Sequence, residues 1–200
     1  MDTETMQLLS ALLALFAAGG TLVLLIARLA AGRSTSAANF VTAFRPVALP
    51  LAFMVAGFAM FGSLWFSEAA NYNPCKLCWY QRTMMYPLAV VLGVALVRRW
   101  WAARRAGGDG VVGGAGAFAS QREITPYAVV LAGIGSVVST YHYLLEWNPT
   151  WESNVCSLDV PCTTIWFREF GFVTLPFMAL CGYISIIILL TTTYRGTHER

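Results

Sequence analysis

Charged residues are scarce in this sequence. Aspartate, glutamate, lysine and arginine make up only 12% of its 200 residues, whereas 58% are hydrophobic. A soluble domain carries about 25% charged residues, so the deficit excludes an ordinary soluble domain and indicates an integral membrane protein. The sequence also lacks an internal repeat and a nucleotide-binding glycine motif, and we expect no nucleic-acid partner for it.

Five apolar segments are long enough to cross a bilayer as helices, for which about 20 residues are needed. They cover residues 6–31, 46–67, 77–98, 126–147 and 170–193. The first could instead be a signal peptide, although acidic residues precede it where a signal has basic ones. We predict an all-α membrane protein in which residues 46–193 form a four-helix transmembrane bundle. Residues 1–45 would add an N-terminal transmembrane helix and a cytoplasmic connection, and residues 194–200 a cytoplasmic tail.

Basic residues are concentrated in alternate connections between these segments. The connections after the first and third segments, together with the C-terminal tail, contain most of the arginines. Because basic residues favour the cytoplasmic side of a membrane, we predict an outer N-terminus and a cytoplasmic C-terminus. The glycine-rich stretch within residues 98–123 would then be a flexible cytoplasmic linker.

Five cysteines, an odd number, suggest two pairs and a spare. With the predicted orientation, every cysteine except Cys181 lies on the extracytoplasmic side, where disulfides persist. Cys181 falls within the last segment, where a small packing role is expected.

The segment NPCKLCWYQR, which ends at Arg82, contains the first pair, Cys75 and Cys78. Asn73 is a suitable N-cap and Pro74 a suitable first residue for a helix, and a helix N-terminus favours a thiolate. A static disulfide or half of a metal site is the alternative. The thiols and the cation together favour redox chemistry.

Arg82 follows Cys78 by four residues and therefore lies on the same helical face. An arginine at this depth is costly unless it is paired or binds a ligand, although it could also extend to the lipid headgroups. We expect it to make Cys78 the most acidic of the four thiols.

The second pair, Cys156 and Cys162, lies in the longest predicted outer loop. A disulfide that is exposed in a short loop is easier to attack than a buried structural one, although it could also simply staple the loop. We expect Glu146, Glu152 and Asp159 to form a solvated acidic rim. His142, at the outer end of the fourth segment, could serve only to anchor that helix.

These motifs resemble the DsbB family of disulfide-bond formation proteins. The resemblance rests on PCKLCWYQR, on the loop that contains the second pair, and on GFVTLPFMAL, and it covers about residues 46 to 193. The short spacing of the second pair and CWYQR look most like the BdbC type of Gram-positive bacteria. The resemblance implies a thiol oxidase in the bacterial plasma membrane. It would oxidise an extracytoplasmic thioredoxin-fold oxidase similar to DsbA or BdbD and pass the electrons to menaquinone or ubiquinone.

The resemblance also implies a role for each site residue. Cys156 would be attacked by the partner thiolate, Cys162 would then attack Cys75, and Cys78 would remain as a thiolate facing the quinone. Arg82 matches the family arginine that supports quinone binding. His142 matches the family's quinone-proximal histidine, which likewise lies seven residues before a proline.

Three alternatives remain at this point. A vitamin K epoxide reductase-like protein has related chemistry, but its loop cysteines precede the Cys-x-x-Cys motif. A soft-metal transporter or sensor could use the four thiols, but no histidine or methionine ligands are grouped with them in the sequence, and we expect no metal. Two structural disulfides in a non-enzymatic membrane protein are the third alternative.

Overall fold

The computed structural model describes residues 2–105, 115–151, 156 and 160–195, with the backbone alone at 115–122 and 193–195. This part of the chain forms five α-helices and a short 3₁₀ turn at Pro149–Trp151. The helices are α1 (Thr3–Ala30), α2 (Thr35–Glu68), α3 (Lys76–Arg105), α4 (Ala115–Trp147) and α5 (Leu175–Arg195). Each contains a stretch that is long and apolar enough to cross a membrane. The predicted all-α membrane architecture is confirmed.

Helix α2 begins at Thr35 rather than near residue 46. The Ser34 hydroxyl caps it by accepting the Ala37 N–H at 3.5 Å, and Pro46 and Pro50 lie inside the helix. Prolines are tolerated in membrane helices because neighbouring groups satisfy the freed carbonyls. Most of the stretch between the first two predicted spans is therefore helical, whereas its predicted cytoplasmic position stays a prediction.

Two other boundaries differ from the prediction. Helices α3 and α4 extend into the predicted linker at residues 98–123, whose centre, 106–114, lies outside the described residues. Helix α5 begins at Leu175 because a tight turn precedes it. This turn pairs Glu169 with Val173 and has positive φ angles at Phe170 and Gly171.

The core lies between α2, α3, α4 and α5. Its fully buried side chains include Leu88, Leu92 and Ile186. Tyr183 of α5 packs directly on Gly135 of α4, where a Cβ atom would overlap its ring. Its hydroxyl donates to the Gln81 carbonyl of α3 at 2.6 Å, so α5 is fixed against the first part of α3.

Helix α1 packs on α5 and α2 and is joined to α5 by polar contacts. The Thr21 hydroxyl donates to Ser185 Oγ at 2.8 Å, and Arg28 Nη1 donates to Thr191 Oγ1 at 2.9 Å. Such bonds between membrane helices stabilise their association by about 1 kcal/mol each.

At the end of the bundle where α3 begins, aromatic rings hold the segment before α5 in place. Tyr72 stacks on Trp166 with ring centroids 4.7 Å apart and on Phe66 at 5.8 Å. Phe167 contacts Phe66 at 5.4 Å. These contacts place the loop that contains Cys162 over the N-terminus of α3, and we call this end of the molecule the cysteine end.

Candidate active site

All four cysteines of the two predicted pairs meet at the cysteine end. Cys75 and Cys162 are buried in one cluster with Leu77 and Leu145, and the partly buried Cys78 and Cys156 pack against it. The two pairs lie more than 70 residues apart in the chain, so the fold creates this proximity.

Cys75 caps helix α3. Its carbonyl accepts the N–H of Trp79 at 3.1 Å, and its Sγ accepts the backbone N–H of Cys78 at 3.3 Å. The pair therefore lies at a helix N-terminus, as the sequence predicts. However, the cap is Cys75 itself rather than Asn73.

Cys75 and Cys78 are free thiols with their sulfur atoms 2.9 Å apart. The hydrogen bond from Cys78, together with the contact to His142, lowers the pKa of Cys75 to about 4 from an ordinary value near 9, although burial opposes the shift. We expected Cys78 to be the most acidic thiol, because of Arg82. That expectation is wrong, because the Cys78 thiol donates to Cys75 and so stabilises the thiolate of Cys75 rather than its own.

The second pair forms a disulfide between Cys156 and Cys162, with Cα atoms 5.8 Å apart. Cys162 is only 1% exposed, whereas Cys156 is partly exposed. The sequence predicted an exposed bridge, but only one of its two sulfur atoms can be reached readily from outside. The residues at 157–159, which include Asp159, lie outside the described part of the chain, as does Glu152.

His142 on α4 lies between the two pairs. It is 3% exposed, and its Nε2 lies 3.7 Å from Cys75 Sγ and 3.1 Å from the Cys162 carbonyl oxygen. Its Nδ1 lies 3.3 Å from Nε2 of Gln81. The sequence left open a simple anchoring role for this histidine, but the structure brings it into the cysteine cluster.

These partners assign the tautomer of His142. A carbonyl oxygen can only accept, so Nε2 of His142 carries the hydrogen and donates it to Cys162. The Gln81 amide then donates to Nδ1. A neutral ring therefore carries its hydrogen on Nε2, and this N–H points towards both Cys162 and Cys75.

Gln81 is the site residue that sequence reasoning missed. A polar amide inside an apolar segment was the available signal, because a buried polar group in a membrane helix needs a partner. Its partner is far away in sequence, which is why the signal could not be completed from the sequence alone.

Arg82 faces α2 rather than α4. Its Nε donates to Ser63 Oγ and its Nη2 to the Ser63 carbonyl, both at 2.9 Å. The guanidinium carbon lies 5.3 Å from the centre of the Trp79 ring. Within the described residues, Arg82 and His142 share no hydrogen-bond partner, so the two predicted quinone-binding residues point to different sides of the site.

A small cavity of about 10 Å³ opens beside the cysteine cluster, lined in part by Cys75, His142, Glu146 and Trp166. Its volume is close to the minimum for a single water molecule. Glu146 is 7% exposed, and its Oε2 has no hydrogen-bond partner among the described residues. Its expected place in a solvated rim is therefore wrong.

Comparison with known proteins decides the family. The model of the family described as disulfide bond formation protein DsbB matches residues 45–192. The chain belongs to the DsbB family. As a DsbB-family member it is a multi-pass membrane protein with a role in disulfide bond formation, and it is a thiol oxidoreductase.

Curated relatives agree with this DsbB assignment. A probable disulfide formation protein of Oceanobacillus iheyensis is 38% identical over 143 residues, covering 70% of this chain and 84% of that protein. Disulfide bond formation protein C of Bacillus subtilis is 37% identical over 147 residues, covering 73% of this chain and 91% of that protein. No solved structure matches the chain significantly.

Proposed function

We propose that this DsbB-family protein reoxidises an extracytoplasmic thioredoxin-fold oxidase and passes the electrons to membrane quinone through its two cysteine pairs. The observation that carries the proposal is the convergence of all four cysteines in one cluster. Residues 46–193 would form the catalytic unit. The cysteine end would face outward from the bacterial plasma membrane, since α3 ends in Arg104 and Arg105 on the opposite side.

Cys156 is the proposed point of entry because it is the more accessible sulfur of the loop disulfide. A partner thiolate forms a bond to Cys156, the Cys156–Cys162 bond breaks, and the electron pair leaves on Cys162. The Cys162 thiolate then attacks Cys75 of an oxidised Cys75–Cys78 pair, and the electron pair leaves on Cys78.

The second half of the exchange restores the loop disulfide. The second thiol of the partner releases Cys156, which attacks Cys162 and displaces Cys75 as a thiolate. This leaves the partner oxidised and the helix pair reduced by two electrons. The arrangement described above, with the loop bridge closed and Cys75 and Cys78 free, corresponds to this stage.

The surroundings of Cys78 fit a quinone on the lipid-facing side of α3. Arg82 has Nε and Nη2 engaged by Ser63. Nη1 has no partner among the described residues and would donate to a quinone oxygen. The neighbouring Trp79 is 55% exposed. The cavity beside His142 is too small for a quinone ring. A bound quinone would accept two electrons and two protons from the dithiol, while Arg82 stabilises negative charge on its oxygen.

The test uses the purified full chain in lipid nanodiscs, a reduced thioredoxin-fold partner and quinone. Cys78→Ser and Arg82→Ala should both abolish or severely reduce quinone-dependent oxidation of the partner. Cys181→Ser is the matched control, because Cys181 is buried in α5 away from the cluster, and it should retain activity. Normal turnover by Cys78→Ser at saturating quinone would contradict the proposal.

A soft-metal transporter or sensor is the second candidate, and one observation favours it. Ligand atoms of Cys75, Cys78 and His142 lie within 4.8 Å of one another, so the sequence-based objection that no histidine accompanies the thiols is wrong. However, two thiolates on one zinc ion stand about 3.8 Å apart, as follows from Zn–S bonds of about 2.3 Å at tetrahedral angles. The two sulfur atoms are 2.9 Å apart, so a bound zinc ion would require them to separate by about 1 Å. Metal that stays bound through purification, with all four thiols reduced, would favour this candidate.

A further inference from the structure

A single N–H group connects the two cysteine pairs. The Nε2–H of His142 points at the Cys162 carbonyl, 3.1 Å away, and at the Cys75 sulfur, 3.7 Å away. In the proposed exchange Cys162 supplies the attacking thiolate, and Cys75 supplies the sulfur that is attacked. His142 is only 3% exposed, so bulk solvent has little access to this hydrogen.

Gln81 supports the tautomer of His142 that the Cys162 carbonyl requires. Its amide lies 3.3 Å from Nδ1, and its own backbone carbonyl is held by the Tyr183 hydroxyl at 2.6 Å. This bond holds the backbone of Gln81 in place, and with it the point on α3 from which the side-chain amide extends. While it donates to Nδ1, the hydrogen of the neutral ring must be on Nε2, where the two cysteines are.

We propose that His142, oriented by Gln81, holds Cys162 and Cys75 against each other for the disulfide exchange between the two pairs. His142 is a catalytic residue in this sense, since it touches a reacting sulfur, and Gln81 is a positioning residue that acts through it. The inference rests on the proposed electron path. It differs from the quinone-proximal role that the family resemblance suggested for His142.

The exchange needs no proton from the ring. Cys162 forms a bond to Cys75 while the Cys75–Cys78 bond breaks and its electron pair leaves on Cys78. When Cys156 later attacks Cys162, the electron pair of the Cys162–Cys75 bond leaves on Cys75. The Nε2–H of His142 stabilises that sulfur as it gains negative charge.

The test measures how strongly the fold holds the two sulfurs together, without quinone or partner. In the full chain, Cys78→Ser, Cys156→Ser and Cys181→Ser leave only Cys75 and Cys162. Equilibration of this parent with reduced and oxidised glutathione gives the effective concentration of the two thiols. Adding His142→Ala to this parent should lower the effective concentration about tenfold. Adding Gln81→Leu should lower it about threefold. Both values are those expected for the loss of hydrogen bonds of ordinary strength.

A matched control on the same helix is Thr140→Ala. The Thr140 side chain is exposed, and among the described residues its hydroxyl bonds only to the Ser136 carbonyl of its own helix. The effective concentration in this variant should stay within a factor of two of that in the parent. An effective concentration within a factor of two after His142→Ala would overturn the proposal.

A spectroscopic measurement covers the case in which these variants do not fold. The chain has two histidines, so ¹⁵N-histidine labelling of the unsubstituted protein gives two sets of ring signals, and His198→Ala assigns them. We expect His142 to show a protonated Nε2 and an unprotonated Nδ1. In Gln81→Leu the Nδ1 signal should shift, because Nδ1 loses its hydrogen-bond donor, while Nε2 stays protonated against the Cys162 carbonyl. A protonated Nδ1 with a bare Nε2 in the unsubstituted protein would overturn the proposal.

These outcomes are separate from those of the quinone assay. If quinone-dependent turnover is absent but the effective concentration falls as expected, the proposed function fails and the positioning role remains. If turnover is normal but the effective concentration is unchanged, only the positioning role fails.

Discussion

Replacing His142 by leucine should make the Cys75 thiol markedly less acidic. In the structure the hydrogen bond from Cys78, followed by the contact with His142, lowers the pKa of Cys75 to about 4. A hydrogen bond to a charged group stabilises it by about 1.5–3 kcal/mol, which corresponds to about one to two pKa units. His142→Leu should therefore raise the pKa of Cys75 to between about 5 and 6, because the Cys78 contacts remain.

The sign of the pH dependence follows from the lowered pKa. Cys75 ionises above pH about 4 in the folded, reduced protein and near pH 9 when unfolded. Its contribution to the stability of the reduced form is therefore complete above pH 9, declines as the pH falls through this window, and is lost below pH 4. At pH 5, a pKa of 4 gives about 90% thiolate, whereas values of 5 to 6 give about 50% to 10%.

The assay is the rate of Cys75 alkylation in the reduced full chain as a function of pH, with the modified residue located by mass spectrometry. Thiolates react and thiols do not, so the rate follows ionisation. Thr140→Ala on the exposed side of α4 is the control and should leave the midpoint unchanged. An identical midpoint in His142→Leu and the unsubstituted protein would refute the reasoning, as would a midpoint near 9 in the unsubstituted protein.

Three further predictions concern the electron path and the scaffold. Cys162→Ala should trap a mixed disulfide between Cys156 and a thioredoxin-fold partner, visible on non-reducing gels. If instead only Cys156→Ala traps a complex, with the partner bound to Cys162, the roles of the two cysteines are exchanged. Gly135→Ala should destabilise the protein by about 1–3 kcal/mol, because the added methyl group overlaps a tyrosine ring of α5. Gly133→Ala, with open space around it, should not lower the apparent Tm, and equal Tm values for the two variants would disprove the packing argument. Ser63→Ala removes the hydroxyl that accepts from Arg82 Nε and should raise the KM for quinone about threefold to tenfold. An unchanged KM in steady-state kinetics would count against a quinone beside Arg82.

The helices were predictable because their signal is local. Length and hydropathy are properties of a contiguous segment, so all five spans could be found before any tertiary contact was known. Their ends were less predictable. The second span was predicted from about residue 46, but in the folded protein α2 begins at Thr35 and passes through Pro46. A proline inside a membrane helix depends on neighbouring groups rather than on the local sequence.

The site was predictable in part for the same reason. Cys78 and Arg82 lie four residues apart in α3, and fixed helical spacing places them on one face. His142, in contrast, meets Cys75 only because α3 and α4 pack side by side. The same packing buries Glu146 and gives Gln81 its partner, so the sequence could identify these residues as unusual without saying what they contact.

Arg82 illustrates a different limit. The sequence correctly placed it on the face below Cys78, but it could not reveal that Ser63 of α2 occupies two of its donor groups. Consequently the electrostatic advantage expected for Cys78 was overestimated. The sequence also could not reveal the hydrogen bond from the Cys78 thiol to Cys75, which contributes most to the lowered pKa of Cys75.

The most direct test of the central claim is the stoichiometry of quinone reduction by a reduced thioredoxin-fold partner in the presence of the purified full chain. The account predicts one quinol formed for each partner disulfide, with no quinol when Cys75 or Cys78 is replaced by serine. Partner oxidation without quinol formation, or quinol formation that persists in those variants, would contradict it.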